Sequence, residues 1–296
     1  MTHIALLRCA QLPSFVTWEI PNLDELFAED KLLQRGLEQV GFEVSIVSWR
    51  DPNIDWEQFD MALIRSTWDY LDHPEHFLKV LAQIEASSCR LFNSLEAVRW
   101  NMDKHYLLDL AGRGVATVPT YRASMAALPN LQGTIQSQGW QELVLKPTLG
   151  LGGVGVKRIQ AADLADTLDT LQTQTPGQGY LVQPFIESVT EEGEWSFVYF
   201  GKQLSHALLK RPATGEFRVQ GIYGGEIQRS EPGTTDRAQA EVVVAQLPFE
   251  CLYMRLDFVR LAGQLVVSEV ELIEPILSFN LVPEGITNFV QAIQQE

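Results

Sequence analysis

Cysteine is scarce in this chain, and basic residues are outnumbered. Its 296 residues include three cysteines, and 22 Lys and Arg stand against 38 Asp and Glu, for a formal charge of −16. Cys9, Cys89 and Cys251 are too scattered for a disulfide framework or a metal spacing, and they suit small buried hydrophobes. The acidic balance argues against nucleic-acid and anionic-membrane partners, which such a surface repels. No apolar run approaches the roughly 18 residues of a membrane helix. The opening "MTHIALLRCAQLPSF" has neither the apolar length nor the basic leader of a signal peptide, so the cytoplasm is the expected compartment. The histidines (His3, His73, His76, His105, His206) show no ligand spacing, and HExxH and GxSxG are missing, which argues against zinc and serine hydrolases.

What is present reads first as α/β. "HIALLRC", "FEVSIVSW", "FDMALIRST" and "RLFNS" have strand character. "AEDKLLQRGLEQVG" and "HPEHFLKVLAQIEAS" have helical period. Such βαβ alternation predicts a parallel sheet with helices on its faces over about residues 1–96. From residue 97 the pattern changes. "SLEAVRWNMDKHYLLDLAGRG" reads as one broken helix or two, followed by an α+β unit to residue 184. Residues 185–296 are rich in strands, with hairpins in "EWSFVYFGKQLSHALLKR" and "MRLDFVRLAGQLVVSEVELI".

Inside the middle unit, "LVLKPTLGLGGVGVKRI" sets Gly150, Gly152, Gly153 and Gly155 behind Lys146. A P-loop would end in Gly-Lys-Ser/Thr, and a dinucleotide fingerprint would open a helix. "VGVKRI" instead alternates like a strand, so the stretch predicts a hairpin whose glycine flap closes over phosphate. A local basic patch suits an anionic ligand on this acidic protein; Lys146, Lys157 and Arg158 form one, and Lys210, Arg211 and Arg218 another.

Glu269 and Glu271 lie two apart on one strand and share a face, and Asp257 on the preceding strand can lie across from them. Three carboxylates on one face match the hard-oxygen demand of magnesium, although a solvated sheet face reads the same way. Lys104 and Lys146 are candidate phosphate ligands, each worth about 4 kcal/mol at ~4 Å and an effective dielectric near 20. "LVQPFIES" ends a strand at Gln183-Pro184, where backbone groups at a domain joint could meet an adenine edge or simply form a turn.

The order of these features resembles the ATP-grasp superfamily, and most of all its glutathione-synthetase-like carboxylate–amine ligases. "RSTWDY", "EGEWSFVYF", "HALLKRP" and "ELIEP" are similar to the bacterial group that includes a ligase closing the ring of D-cycloserine. The resemblance covers essentially the whole chain. It implies an α/β and α+β fold of three units: a parallel-sheet domain (1–96), a lid with the flap (97–184) and a catalytic subdomain (185–296). It implies ATP and magnesium, with manganese as a substitute. Lys104, Lys146, Gly150, Gly152, Gly153 and Gly155 would hold or cover phosphates; Gln183, Pro184, Phe185 and Ile186 would face adenine, and Glu187 the ribose. Asp257, Glu269 and Glu271 would bind the metal. Arg218, with Lys210 or Arg211, would neutralise the transferring phosphoryl group or an acid substrate. Where glutathione synthetase has an asparagine at the last metal position, this chain has Glu271, so its substrates need not be the same.

The implied activity is ADP-forming activation of a small carboxylate as an acyl phosphate, for attack by an amine. Trp18, Glu19, Arg65, Ser66, Thr67, Trp68 and Asp69 are the candidate contacts to a small amino-acid-like substrate, although Trp68 and Tyr70 equally suit packing. Ring closure within one substrate and a nucleotide-binding regulator without turnover are the alternatives. Related ligases are often dimers or tetramers, and no residue here decides the oligomeric state.

Overall fold

Each of the three sheets gathers one part of the site along its edge or face. The structure is a computed structural model that describes residues 1–14, 16 and 26–296. Strands β1 (His3–Arg8), β2 (Glu43–Ser48), β3 (Met61–Ile64) and β4 (Arg90–Phe92) form a parallel sheet in the order β2-β1-β3-β4. Helices α1 (Ala28–Gln39) and α2 (Pro74–Ala86) supply the crossovers that parallel strands need. Ile4, Ala5, Leu6 and Leu7 are all fully buried, the continuous apolar run of a strand covered on both faces.

The ambiguous segment resolves into two helices, α3 (Leu95–Met102) and α4 (Tyr106–Gly112). Ser94 caps α3 by accepting from the Ala97 amide at 3.2 Å. By their packing these helices go with the C-terminal sheet: Ala97, Leu107 and Leu110 share a core with Phe197, Leu256 and Val267.

A second sheet is antiparallel, in the order β5-β8-β6-β7, formed by β5 (Tyr121–Ala123), β6 (Glu142–Pro147), β7 (Lys157–Gln160) and β8 (Tyr180–Pro184). Helices α5 (Leu128–Gln138) and α6 (Leu164–Gln174) cover it through Leu131, Ile135, Leu164, Leu168 and Leu171. Strands β6 and β7 are the expected hairpin, with the glycine segment as their connection.

After a short helix, α7 (Ser188–Glu191), comes the third sheet, antiparallel, in the order β11-β10-β9-β12-β13. Its strands are β9 (Glu194–Phe200), β10 (Gln203–Arg211), β11 (Glu226–Arg229), β12 (Tyr253–Leu261) and β13 (Gln264–Glu271). Helix α8 (Thr234–Gln246) packs on it, and α9 (Glu284–Ile293) joins it to the first sheet through Phe289, which lies among Ile4, Leu6, Val198 and Phe200. Strand β11 escaped the sequence reading because the residues before it, rich in glycine and polar side chains, carry no period.

Candidate active site

Strand β13 is a sheet edge, and an edge leaves backbone groups that need partners. Here α3, α4 and the segment after them supply those partners. Asn101 donates to the Val270 carbonyl and accepts from the Leu272 amide, both at 2.8 Å. The Tyr106 hydroxyl accepts from the Val270 amide at 3.0 Å. Val267 exchanges backbone bonds with Ala116 and Val118 at 2.9 Å. These contacts fix the strand on both sides of Glu269 and so aim its carboxylate at the cleft.

Across the hairpin Asp257 pairs with Glu269 and Arg255 with Glu271, the register shifting just after Asp257. One carboxylate oxygen each from Asp257, Glu269 and Glu271 lies within 4.8 Å of the others. Three hard oxygen donors at that spacing fit magnesium or manganese. Four cationic side chains surround them. Arg255 bonds Asp257 through Nε at 3.0 Å and Glu271 through Nη2 at 2.5 Å. Lys104 reaches Glu269 at 3.0 Å, and Lys210 lies 3.4 Å from both Asp257 and Glu194. Among the described residues Lys146, the fourth, forms no ion pair.

The pKa directions follow this pairing. Desolvation would raise Asp257, but Arg255 and Lys210 outweigh it and hold the carboxyl below its usual range. Desolvation acts likewise on Glu269, and Lys104 and Lys146 reverse it. In Glu271 desolvation prevails over Arg255 and pushes the carboxyl up to about 7. Desolvation depresses Lys146, with Glu269 and Glu194 opposing. A lysine in that condition gains from an anionic oxygen at its Nζ.

The cleft runs from these charges to the hinge between the second and third sheets. Val118, Val144, Gln183, Pro184, Phe185, Ile186, Val189 and Val259 line its apolar end, and Lys104, Lys146, Glu194 and Glu269 its charged end. That gradient suits a flat base followed by phosphates. Buried Gln183 donates to the Thr120 hydroxyl at 2.9 Å, so its side chain braces the strand end.

The flap folds over this cleft. Lys104 ties its base down, with its amide donating to the Thr148 carbonyl at 2.8 Å and its Nζ to the Gly150 carbonyl. At the tip Gly153 has φ +72°, and an added Cβ would lie 3.0 Å from Gln220 Oε1, 3.3 Å from Tyr223 and 3.4 Å from Arg218. Glycine is the residue that tolerates both the left-handed backbone and that proximity. Arg218 stacks on Tyr223, its guanidinium carbon 3.5 Å from the ring centroid, and its Nη2 bonds Glu216 at 2.6 Å.

Not every expected residue comes to the cleft. Arg211 is exposed at the end of β10, where strand alternation turns it away from Lys210. Glu187 is exposed and faces an outer hollow with Trp140 and Arg260. Gly155, at φ +73°, packs on Pro147 and not on the cleft. Ser66 donates to Asp30, and Asp69 accepts from Trp49 Nε1 at 2.5 Å, so both serve the interior of the first unit. Trp68 stacks on Phe27. Buried Thr67 has an unpartnered hydroxyl. Trp18 and Glu19 lie outside the described residues. Arg65 is 3% exposed and donates to the Pro275 carbonyl at 2.8 Å.

Two participants were missed. Arg255 could have been found, since it lies two residues before Asp257 and so shares its face. Glu274, the second glutamate of "ELIEP", follows the strand in a stretch without period. Its carboxyl accepts from the Tyr70 hydroxyl at 3.0 Å and is pushed up to about 8, first by desolvation and then by Glu271.

Comparison with known proteins agrees with this architecture. Residues 4–93 match the N-terminal domain model of the D-cycloserine synthetase DcsG, and residues 128–275 match the ATP-grasp domain of prokaryotic glutathione synthetase. The cycloserine biosynthesis protein DcsG of Streptomyces lavendulae is 30% identical over 281 residues, covering 86% of this chain and 89% of the relative. Glutathione synthetase of Neisseria meningitidis serogroup B is 24% identical over 193 residues, 64% of this chain and 58% of that protein. The crystal structure of D-cycloserine synthetase DcsG superposes with a TM-score of 0.84 at 26% identity, covering 99% of both chains. D-alanine–D-alanine ligase from Bacillus anthracis shares the fold, with a TM-score of 0.71 at 15% identity over 100% of this chain and 97% of that one. The chain belongs to the ATP-grasp ligases of the prokaryotic glutathione-synthetase type, in the group that contains D-cycloserine synthetase.

Proposed function

We propose that the protein is an ADP-forming ligase that activates a small carboxylate with Mg-ATP for attack by an amine, making a C–N bond. One observation carries this reading: Lys146, without an ion pair among the described residues, shares a flap-covered cleft with Glu269, beside Asp257 and Glu271, three carboxylates spaced for a divalent cation. When bound, the metal would supply Lewis-acid charge at the phosphates. Asp257, Glu269 and Glu271 would hold it, and Lys104 and Lys146 would bind phosphate oxygens. The adenine would lie against Val118, Val144, Phe185, Ile186 and Val259.

The substrate carboxylate accepts the terminal phosphoryl group to become an acyl phosphate, and an amine then displaces phosphate. In such transfers the protein contributes position and charge neutralisation. Arg255 and Lys210 stand where negative charge develops, beside the metal carboxylates. Arg218 reaches the same cleft from the flap side. The flap, tethered by Lys104, excludes water that would hydrolyse the acyl phosphate. We assign units 1–96, 97–184 and 185–296 as pre-ATP-grasp α/β domain, lid and catalytic subdomain, with the α3–α4 segment bracing the last of these. Arg65, Thr67 and Asp69 are the members of the first-unit set that keep polar atoms without a hydrogen-bond partner, and so could serve a substrate.

Similarity to DcsG along the whole chain favours one version of this chemistry, in which acid and amine belong to the same molecule and a ring closes. ADP and phosphate release from Mg-ATP, measured with amino acids and small acids singly and in pairs, tests the reading. Release that needs two compounds supports ligation, and release with one amino-acid-like compound supports ring closure. No release with any of them, while ATP is bound, contradicts both.

A further inference from the structure

A small hollow of about 30 Å³ lies beside two of the metal carboxylates, Glu269 and Glu271. Lys104, Gly150, Leu151 and Glu269 line both this hollow and the nucleotide cleft, so an occupant would sit beside the phosphoryl-transfer point. The remaining wall brings Tyr70 from the first unit against Glu271 and Glu274 from the last. A water needs roughly 10–15 Å³, so the space fits one compact polar head and not a peptide.

The charges in this wall are unevenly answered. Glu269 has Lys104 at 3.0 Å and Glu271 has Arg255 at 2.5 Å. Glu274 has the neutral Tyr70 hydroxyl at 3.0 Å, and among the described residues no lysine or arginine forms an ion pair with it. The neighbouring Arg65 leaves a second demand unmet: its Nη2 donates to the carbonyl of Pro275, next in sequence to Glu274, and lies 3.8 Å from Glu29 Oε2, while its buried Nε and Nη1 have no hydrogen-bond acceptor among the described residues. One junction therefore carries a carboxyl group with no ion-pair partner of its own among the described residues, Lys104 being engaged with Glu269, and a guanidinium with two unused donors. Buried polar groups of that kind ordinarily find partners, and an ammonium head with an acid group near it is the chemistry that would answer both.

We propose that Glu274, oriented by Tyr70, determines specificity by receiving the protonated amine of an amino-acid substrate. The inference rests on the ligase reading and narrows its substrate to compounds with a primary ammonium group. The ammonium nitrogen donates to the free lone pairs of Glu274, and Tyr70 keeps the carboxylate turned into the hollow. Tyr70 is a positioning residue, since it acts through Glu274.

Calorimetry on the intact protein under saturating Mg-AMPPNP tests this with matched probes: alanine against lactate and serine against glycerate, in both hands. The wild type is expected to bind an amino acid at least about tenfold more tightly than its hydroxy-acid partner, as a charge-assisted hydrogen bond implies. Glu274→Gln should erase that preference with AMPPNP affinity unchanged, and Tyr70→Phe should reduce it. A preference that survives Glu274→Gln overturns the proposal, as does a wild type that binds both members equally or neither. ADP release with the same probes judges the ligase reading separately. Preferential binding without release contradicts the ligase and leaves the subsite standing, whereas release insensitive to Glu274→Gln contradicts the subsite alone.

Discussion

Arg255 Nη2 lies 2.5 Å from Glu271 Oε1 and 2.9 Å from Asp257 Oδ2, so one guanidinium bridges two of the three carboxylates that could hold a metal. Buried like charges need such a partner when no cation occupies the site.

Removing it should be costly. Arg255→Ala takes from Asp257 and Glu271 the guanidinium that bridges them, and breaking a buried pair typically costs about 3–5 kcal/mol. The expected result is a lower urea midpoint in magnesium-free buffer, partly restored by millimolar MgCl2. A midpoint unchanged in either buffer would show that the bridge contributes nothing.

Glu271→Asn takes one negative charge from the metal set and puts there the residue expected in glutathione synthetase. Magnesium affinity should fall by about tenfold, some 1.4 kcal/mol, since charge count tunes such sites. The half-saturating magnesium concentration for ADP release reports this. Equal concentrations for variant and wild type would remove Glu271 from the metal set.

Arg255 and Glu271 also show how far the sequence could be read. Alternation along β13 exposed Glu269 and Glu271, and the same rule applied to β12 would have exposed Arg255. The flap hairpin was legible because glycine density and the strand period after it point the same way. Asp69 was not: its partner is the Trp49 indole, 20 residues earlier, brought to it by the sheet. Arg211 failed for a simpler reason, since Lys210 and Arg211 adjoin on one strand and only one of them can face the cleft.

Stability should depend on pH through Glu274. Its folded pKa, about 8, lies above the 4.5 of an ordinary glutamate, so the folded state binds the proton more tightly. The resulting stabilisation is complete below about pH 4.5 and is lost as pH rises through 8. Glu274→Gln keeps the neutral form at every pH. Its melting temperature relative to wild type, without ligands, should therefore climb between pH 5.5 and 8.5. A constant difference across that range would mean that Glu274 titrates normally.

Gly153→Ala should impair closure, because the added methyl meets Gln220 and Tyr223 and the backbone sits at φ +72°. Turnover should fall about five- to tenfold, roughly 1 kcal/mol on the closed state, with little change in melting temperature. Wild-type turnover in this variant would show that the flap tip does not need to approach Arg218.

The central claim is that Lys146 and the carboxylate face together bind and use Mg-ATP. ADP release by wild type and Lys146→Met, each with a stimulating substrate, tests it most directly. The variant should fold normally, since desolvation already opposes the charge of that lysine, yet lose ADP formation and bind ATP at least about a hundredfold more weakly, a loss within the roughly 4 kcal/mol available to a lysine–phosphate contact. Near-normal ADP release from a well-folded Lys146→Met would contradict the site.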